Sequence, residues 1–222
     1  MQDLTIPARV VYSKTGRARY ISHLDTMRTL TRALRRSGLP LWYTQGFNPH
    51  LYMTFLLPLA LGVESLCEIV DLRLTRQMDW DAVKEGVSAH LPPGFEIQSA
   101  RGPILPAKCI AWAEYRLELD FPQGEREGAA LAMKQLLESN CIMVSKKTKK
   151  GEQMVDIRPH LSLLDISAGE RGFSCDLRLS AGTAANVSPR LVLEAFGQIA
   201  RPPESVKILR TGVLDDKLED FA

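Results

Sequence analysis

Arg28, Arg32, Arg35 and Arg36 recur at i, i+4, i+7 and i+8, the spacing that brings side chains to one face of an α-helix. Guanidinium groups lined up in this way suit phosphate, because each planar group can grip an oxyanion through two parallel N–H bonds. Asp25 stands three residues before Arg28 and can orient its guanidinium. Lys14, Arg17 and Arg19 lie just upstream. Residues 1–60 hold eight Lys and Arg against two acids, a local charge of +6, while the other 162 residues carry 20 against 24. A nearly neutral chain with one basic region attracts a polyanion locally without coating nucleic acid in general.

Gly46-Phe47-Asn48-Pro49-His50 follows the basic stretch. Gly46 and Pro49 shape a turn, and the proline holds Asn48 extended. Such a turn presents Phe47 for stacking and Asn48 or His50 for hydrogen bonding to an unpaired base, as readers of single-stranded RNA do. The opposed reading is an ordinary loop whose Phe47 plugs the core. His23 and His50 flank the arginines, and histidine beside a cation is a metal-free route to RNA cleavage. No HxxxH or HExxH spacing supports a metal site. No P-loop, Gly-rich phosphate loop or GxSxG elbow occurs, which argues against nucleotide hydrolysis and acyl transfer. No catalytic residue, metal ligand or cofactor is therefore assigned. His23 and His50 join Phe47 and Asn48 as nucleic-acid-binding candidates.

A second basic cluster is Lys146-Lys147-Thr148-Lys149-Lys150, followed by Val155-Asp156-Ile157-Arg158-Pro159. It reads as the tip of a hairpin, an electrostatic arm over the same ligand, with Lys146, Lys147, Lys149, Lys150 and Arg158 contributing charge. Asp156 and Arg158 share a strand face and are expected to pair. The plainer alternative is a solubilising turn.

The elements that must position these residues follow from periodicity. A strand is expected at 9–14. A helix then starts at Ser22, with Leu24, Met27, Leu30 and Leu34 as its buried stripe and Gly38 and Pro40 as its stop. Extended segments follow at 41–43, 52–57 and 68–74, then a helix over 79–91 and a strand over 95–100. Gly102-Pro-Ile-Leu-Pro106 reads as a linker. The order then repeats: a strand at 114–121, a helix at 125–138, a hairpin around the lysines and a strand at 173–179. A helix capped by Ser188-Pro189 and buried through Val192, Ala195, Phe196 and Ile199 precedes a last strand from 206. One additional extended segment lies around 161–166. The expected fold is α+β, two tandem ferredoxin-like (βαββαβ) halves, 1–101 and 107–213, with an acidic tail at 214–222. A single continuous α+β sheet is the alternative.

Composition sets the outer limits. Hydrophobic residues are 45% and charged residues 24%, the mixture of a soluble globular protein. The longest apolar run, Phe55 to Val63, is too short to span a bilayer and is broken by Pro58, so no membrane role is read. The N-terminal residues do not read as a signal peptide. Cys67, Cys109, Cys141 and Cys175 form no CxxC pair, so a zinc ribbon, an iron–sulfur site and a radical SAM cluster are excluded. Scattered cysteines in apolar strands point to buried free thiols and a cytoplasmic location.

Tyr12-Ser-Lys14, Arg19-Tyr-Ile-Ser-His-Leu-Asp25, Arg32-Ala-Leu-Arg-Arg36, Leu39-Pro40, Gly46-Phe-Asn-Pro-His50, the 58–68 segment with Gly62 and Ser65, and Asp156-Ile-Arg-Pro159 together resemble the radical-SAM-linked proteins. This is a bacterial domain family of unknown function, about the length of this chain. Its members are encoded beside, or fused to, a radical SAM protein. The resemblance implies a partner or substrate-presenting domain for such an enzyme and supplies no catalytic residues. Combined with the basic ridge, the expectation is a non-catalytic RNA-binding accessory module with RNA and a radical SAM protein as partners. The alternatives are an adaptor that docks on the enzyme without nucleic acid, and a metal-independent endoribonuclease. The latter draws on a fold-level analogy to CRISPR-type endoribonucleases.

Overall fold

The computed structural model describes residues 5–148 and 151–222. The chain forms two compact units, Met1–Cys109 together with Phe221–Ala222, and Ile110–Asp220. Both mix α-helix with antiparallel sheet.

In the first unit, β1 (Ile6–Lys14) and β3 (Glu64–Leu74) pair antiparallel. β4 (Phe95–Arg101) flanks β1 and β2 (Met53–Phe55) flanks β3, giving the order β4-β1-β3-β2. α1 (His23–Arg36) begins at Ser22, whose hydroxyl accepts the Asp25 N–H at 3.2 Å and donates to its carboxylate at 2.7 Å. α2 (Trp80–Ser88) is capped by Asp79. Leu30, Ala33 and Leu34 of α1 and Val83 and Val87 of α2 pack on Val10, Tyr12, Val70, Leu72 and Leu74 of the sheet. Each fully buried Leu or Val side chain contributes roughly 1.5–3 kcal/mol.

Leu24, expected in the buried stripe of α1, is 52% exposed, and Thr26 is buried instead. The helical repeat explains the correction: Leu24 is four residues before Arg28 and eleven before Arg35, so it shares their face. Gly94, at φ +90°, closes the unit where Thr15 donates its N–H to the Gly94 carbonyl at 2.8 Å. A Cβ there would lie 2.7 Å from the Thr15 carbonyl oxygen.

The sheet face away from the helices carries a buried ion pair. Arg9 stands opposite Asp71 in register and binds it through Nε at 2.8 Å and Nη2 at 3.0 Å. The Phe221 ring covers the same guanidinium at 4.6 Å. The segment read as an acidic tail is thus folded at both ends. The Asp215 carboxylate accepts the N–H groups of Lys217 and Glu219, and Phe221 is buried.

In the second unit, β5 (Trp112–Asp120), β8 (Leu161–Ala168), β9 (Gly172–Ser180) and β10 (Ser205–Leu214) form a sheet in the order β10-β5-β9-β8. α3 (Arg126–Glu138) and α4 (Pro189–Phe196) complete the core, where Phe121 stacks on Phe173 and meets Phe196 edge-on. Ile199, expected on the buried face of α4, lies beyond its last residue and is exposed. β6 (Met143–Thr148) and β7 (Gly151–Asp156) pair with each other in a separate two-stranded sheet. The lysine hairpin is therefore the addition, and the 161–166 segment belongs to the main sheet, the reverse of the expectation. With the hairpin set aside, strands in chain order occupy the same sheet positions in both units.

Cys175 is buried, and burial pushes its thiol up to about 12. Cys67 and Cys109 are half-buried and Cys141 is exposed, so buried thiols are not general. No helix among the described residues is long and apolar enough to cross a membrane.

Candidate nucleic-acid interface

α1 turns its inner stripe to the sheet, which leaves Arg28, Arg32, Arg35 and Arg36 exposed on the other side. Arg28 is already engaged, with Nη1 2.9 Å from Asp25 Oδ1. The Ser22 hydroxyl and then the Arg28 guanidinium hold the Asp25 carboxyl below its ordinary value. Arg32, Arg35 and Arg36 have no carboxylate within ion-pair distance among the described residues, and the Asp25 charge acts on Arg32 from further away. The cations of the second sheet differ. Arg116 is paired with Asp176, Arg178 with Glu114 and Lys207 with Glu118, so that face neutralises itself.

The residues before α1 are mostly withdrawn from the surface. Lys14 is 2% exposed and donates to the Ile21 carbonyl at 2.7 Å. Burial is the main cause of its lowered pKa. It braces the entry to α1 and is corrected from phosphate ligand to structural cation. Arg19 is half-buried, stacked over Tyr20 at 4.8 Å and 3.5 Å from Glu64. Arg17 is exposed on the 3-10 turn Gly16–Tyr20 and has no carboxylate partner among the described residues.

The 44–50 loop is closed at its base and open at its tip. Thr44 donates its N–H to the His50 carbonyl at 2.8 Å, and the His50 N–H returns to Thr44 Oγ1 at 3.1 Å. One step below, Tyr43 bridges Leu51. Gly46, at φ +133°, lets the chain turn. Phe47 at the tip has 105% of its reference exposure, so it plugs no core. Asn48 is exposed beside it. His50 Nδ1 faces Thr44 Oγ1 at 2.9 Å and the Asn48 carbonyl at 3.3 Å, so the ring stiffens the loop. His23 instead packs edge-on to Phe55 at 4.9 Å. No hydrogen bond or ring contact joins the two histidines among the described residues.

The helix and the loop meet at Arg35 and Tyr43. The Arg35 guanidinium carbon lies 5.9 Å from the centre of the Tyr43 ring, which places the free end of the ridge at the base of the loop. Sequence reasoning missed Tyr43 and, with it, Trp42, Tyr52 and Arg73, whose guanidinium lies over both of the latter rings. The available signal was the aromatic content on either side of the loop.

In the second unit, Lys146 donates to the Asn186 carbonyl at 3.2 Å. Lys149 and Lys150, and the side chain of Lys147, lie outside the described residues. Arg158 is corrected to a structural role: its Nε and Nη1 bind the carbonyls of Ser139 at 2.9 Å and Leu161 at 3.0 Å. It does not pair side chain to side chain with Asp156. The Asp156 carboxylate accepts the N–H groups of Ile142 and Arg158, and these bonds hold its pKa down. Among the described residues no three His, Cys, Asp or Glu are grouped to hold a metal.

Residues 8–189 match the family described as "Uncharacterized protein conserved in bacteria (DUF2344)". The chain belongs to this family. The match spans both units, from β1 to the start of α4, and so takes in the arginine helix, the 44–50 loop and the Asp156-Ile-Arg-Pro159 corner. The description of DUF2344 names no radical SAM partner. No curated protein matches the sequence. Among solved structures, a chain of a Cbf5-Nop10-Gar1 complex is similar at 10% identity with a TM-score of 0.47. The similarity covers 93% of this chain and 48% of that one, so this DUF2344 chain spans about half its length. An unknown protein from Galdieria sulphuraria is similar at 14% identity and a TM-score of 0.30, over 92% of this chain and 96% of its own.

Proposed function

We propose that this DUF2344 protein is a non-catalytic RNA-binding module that presents its RNA to a radical SAM enzyme in the cytoplasm. One observation carries the RNA reading. Arg35 sits over Tyr43 at the base of the loop that holds Phe47 out in solvent, so unpaired guanidinium groups and a free aromatic ring share one surface. Cations that track a backbone beside a ring on which a base can stack are the requirements of single-stranded nucleic-acid binding. Arg32, Arg35 and Arg36 hold phosphates, Phe47 stacks, and Asn48 hydrogen-bonds the stacked base. The radical SAM partner rests on the resemblance of the sequence motifs alone. The shared strand order of the two units supports a tandem ferredoxin-like arrangement.

The test is fluorescence anisotropy of labelled RNA against the purified protein at low and moderate salt. Binding is expected to weaken as salt rises, and Arg32→Glu is expected to weaken it several-fold with an unchanged thermal melt. Absence of binding at low salt would refute the RNA reading.

A second reading, an adaptor that docks a radical SAM protein, is favoured by a different observation. Tyr20, Leu24 and Leu61 are exposed around the start of α1, where the Gly62 N–H meets the Arg19 carbonyl at 2.8 Å. Leu24→Ala, which removes the apolar side chain and adds no charge to the arginine face, would then release the enzyme partner in a nuclease-treated pull-down and leave RNA affinity in place.

A further inference from the structure

Arg73 lies between Leu72 and Leu74 on β3, and both leucines belong to the core beneath α1. Strand alternation therefore sends the Arg73 side chain to the sheet face away from that helix. There its guanidinium carbon is 4.5 Å from the centre of the Tyr52 ring and 5.5 Å from that of Trp42. The two rings meet edge-on with centroids 5.7 Å apart. Arg73 has no carboxylate partner among the described residues, and all three side chains are half-exposed. Asp71, its near neighbour on the same face, is committed to Arg9.

A guanidinium seated over ring faces spends none of its N–H donors on them, so they stay available to a bidentate acceptor. Lysine cannot reproduce that geometry. Trp42 and Tyr43 are consecutive in an extended segment, so their rings leave opposite faces. The hairpin formed by 41–52 thus carries Arg35 on Tyr43 on one face, Arg73 on Trp42 and Tyr52 on the other, and Phe47 at the tip between them.

We propose that Arg73, seated on Trp42 and Tyr52, is a second phosphate-binding fork, and that the ligand is single-stranded RNA passing over Phe47 from one face of the hairpin to the other. This rests on the RNA reading above and narrows it. A duplex is stiff over lengths on the order of 100 base pairs, so it meets the α1 face and cannot fold around a hairpin. A single strand turns freely. Trp42 and Phe47 are five residues apart, a reach of at most roughly 17 Å, within the span of a strand of about 4–16 nucleotides.

Two probes separate the possibilities: a fluorescein-labelled oligouridine of about 12 nucleotides, and a blunt RNA duplex of the same length. Arg73→Ala is expected to weaken oligouridine binding at least roughly fivefold, in line with the loss of one charge-assisted contact, and to leave duplex binding unchanged. Arg73→Lys, which keeps the charge and most of the packing, is expected to be no better than alanine. Arg32→Glu is expected to weaken both probes. Equal losses on the two probes, no loss with Arg73→Ala, or full recovery with Arg73→Lys would each overturn the fork. A wild-type protein that binds duplex but not oligouridine overturns this proposal and the base stacking on Phe47, and leaves standing only the phosphate contacts of Arg32, Arg35 and Arg36. A protein that binds neither overturns both.

Discussion

Lys14 Nζ donates to the carbonyl oxygen of Ile21 at 2.7 Å, inside the first unit and one residue before the cap of α1. Burial lowers the pKa of this ammonium from 10.5, and the charge of Glu68 only partly opposes the shift. A base with a lowered pKa in the folded state binds fewer protons there than in the unfolded chain. Stability therefore rises with pH across the interval between the folded value and 10.5. Urea unfolding is expected to show wild-type stability climbing toward 10.5 relative to Lys14→Met, while RNA affinity is the same for both. Parallel stability profiles would show that Lys14 is not desolvated.

How far such residues can be read from sequence depends on which forces place them. The first five elements were legible because each carries one period: Val10-Val11-Tyr12 is β-prone, and α1 repeats at 3.6 between Ser22 and Gly38. Position within the helix was less so, since Leu24 and Thr26 exchange places once the helix is rotated by less than one residue spacing. β8 reads as an additional segment because its alternation breaks at a bulge between Leu163 and Asp165. Lys14 and Arg158 read as surface cations, because nothing local reveals that a carbonyl 7 or 19 residues away will receive them. The Arg73 stack joins residues 31 and 21 positions apart, and only the pairing of β3 brings them together. The exposed arginines of α1 needed no such long-range partner, whereas the sequence left Phe47 open between a presented ring and a core plug, and the structure puts it in solvent.

Asp25 restrains Arg28, the one ridge arginine with an ion-pair partner among the described residues. Asp25→Asn keeps a hydrogen-bond acceptor for the first turn and removes the charge. RNA affinity is expected to rise, and the dependence of log K on log salt is expected to steepen by about one phosphate contact. The helix loses an acid at its N-terminus, where a negative charge interacts favourably with the helix dipole. Anisotropy titrations over a salt series check the first effect. An unchanged slope would mean that Arg28 does not reach the ligand.

Phe47 contributes no packing to the first unit, so Phe47→Ala should leave stability within about 0.5 kcal/mol of wild type. If a base stacks on the ring, the same substitution costs about 1–3 kcal/mol of single-strand binding. The pairing of a neutral melt with a large binding loss is the signature, and both are read on one preparation. A melt lowered by several degrees would mean that the ring packs against the protein in solution.

The Arg9–Asp71 pair sets the opposite case, a cation whose value is structural. Arg9 is 1% exposed, bidentate to Asp71, bonded to the Leu105 carbonyl at 2.9 Å and covered by Phe221. Asp71→Ala strands a buried charge and is expected to cost about 3–5 kcal/mol in urea unfolding, toward the lower end because the carboxylate is partly exposed. Phe221→Ala removes the apolar cover and is expected to cost a comparable ~3 kcal/mol. The double variant Arg9→Met, Asp71→Leu removes both charges together and should recover most of the Asp71→Ala loss, because the penalty comes from the unpaired guanidinium. If the double variant is as unstable as Asp71→Ala, the contribution of this corner is packing around Phe221 and not the fate of the charge.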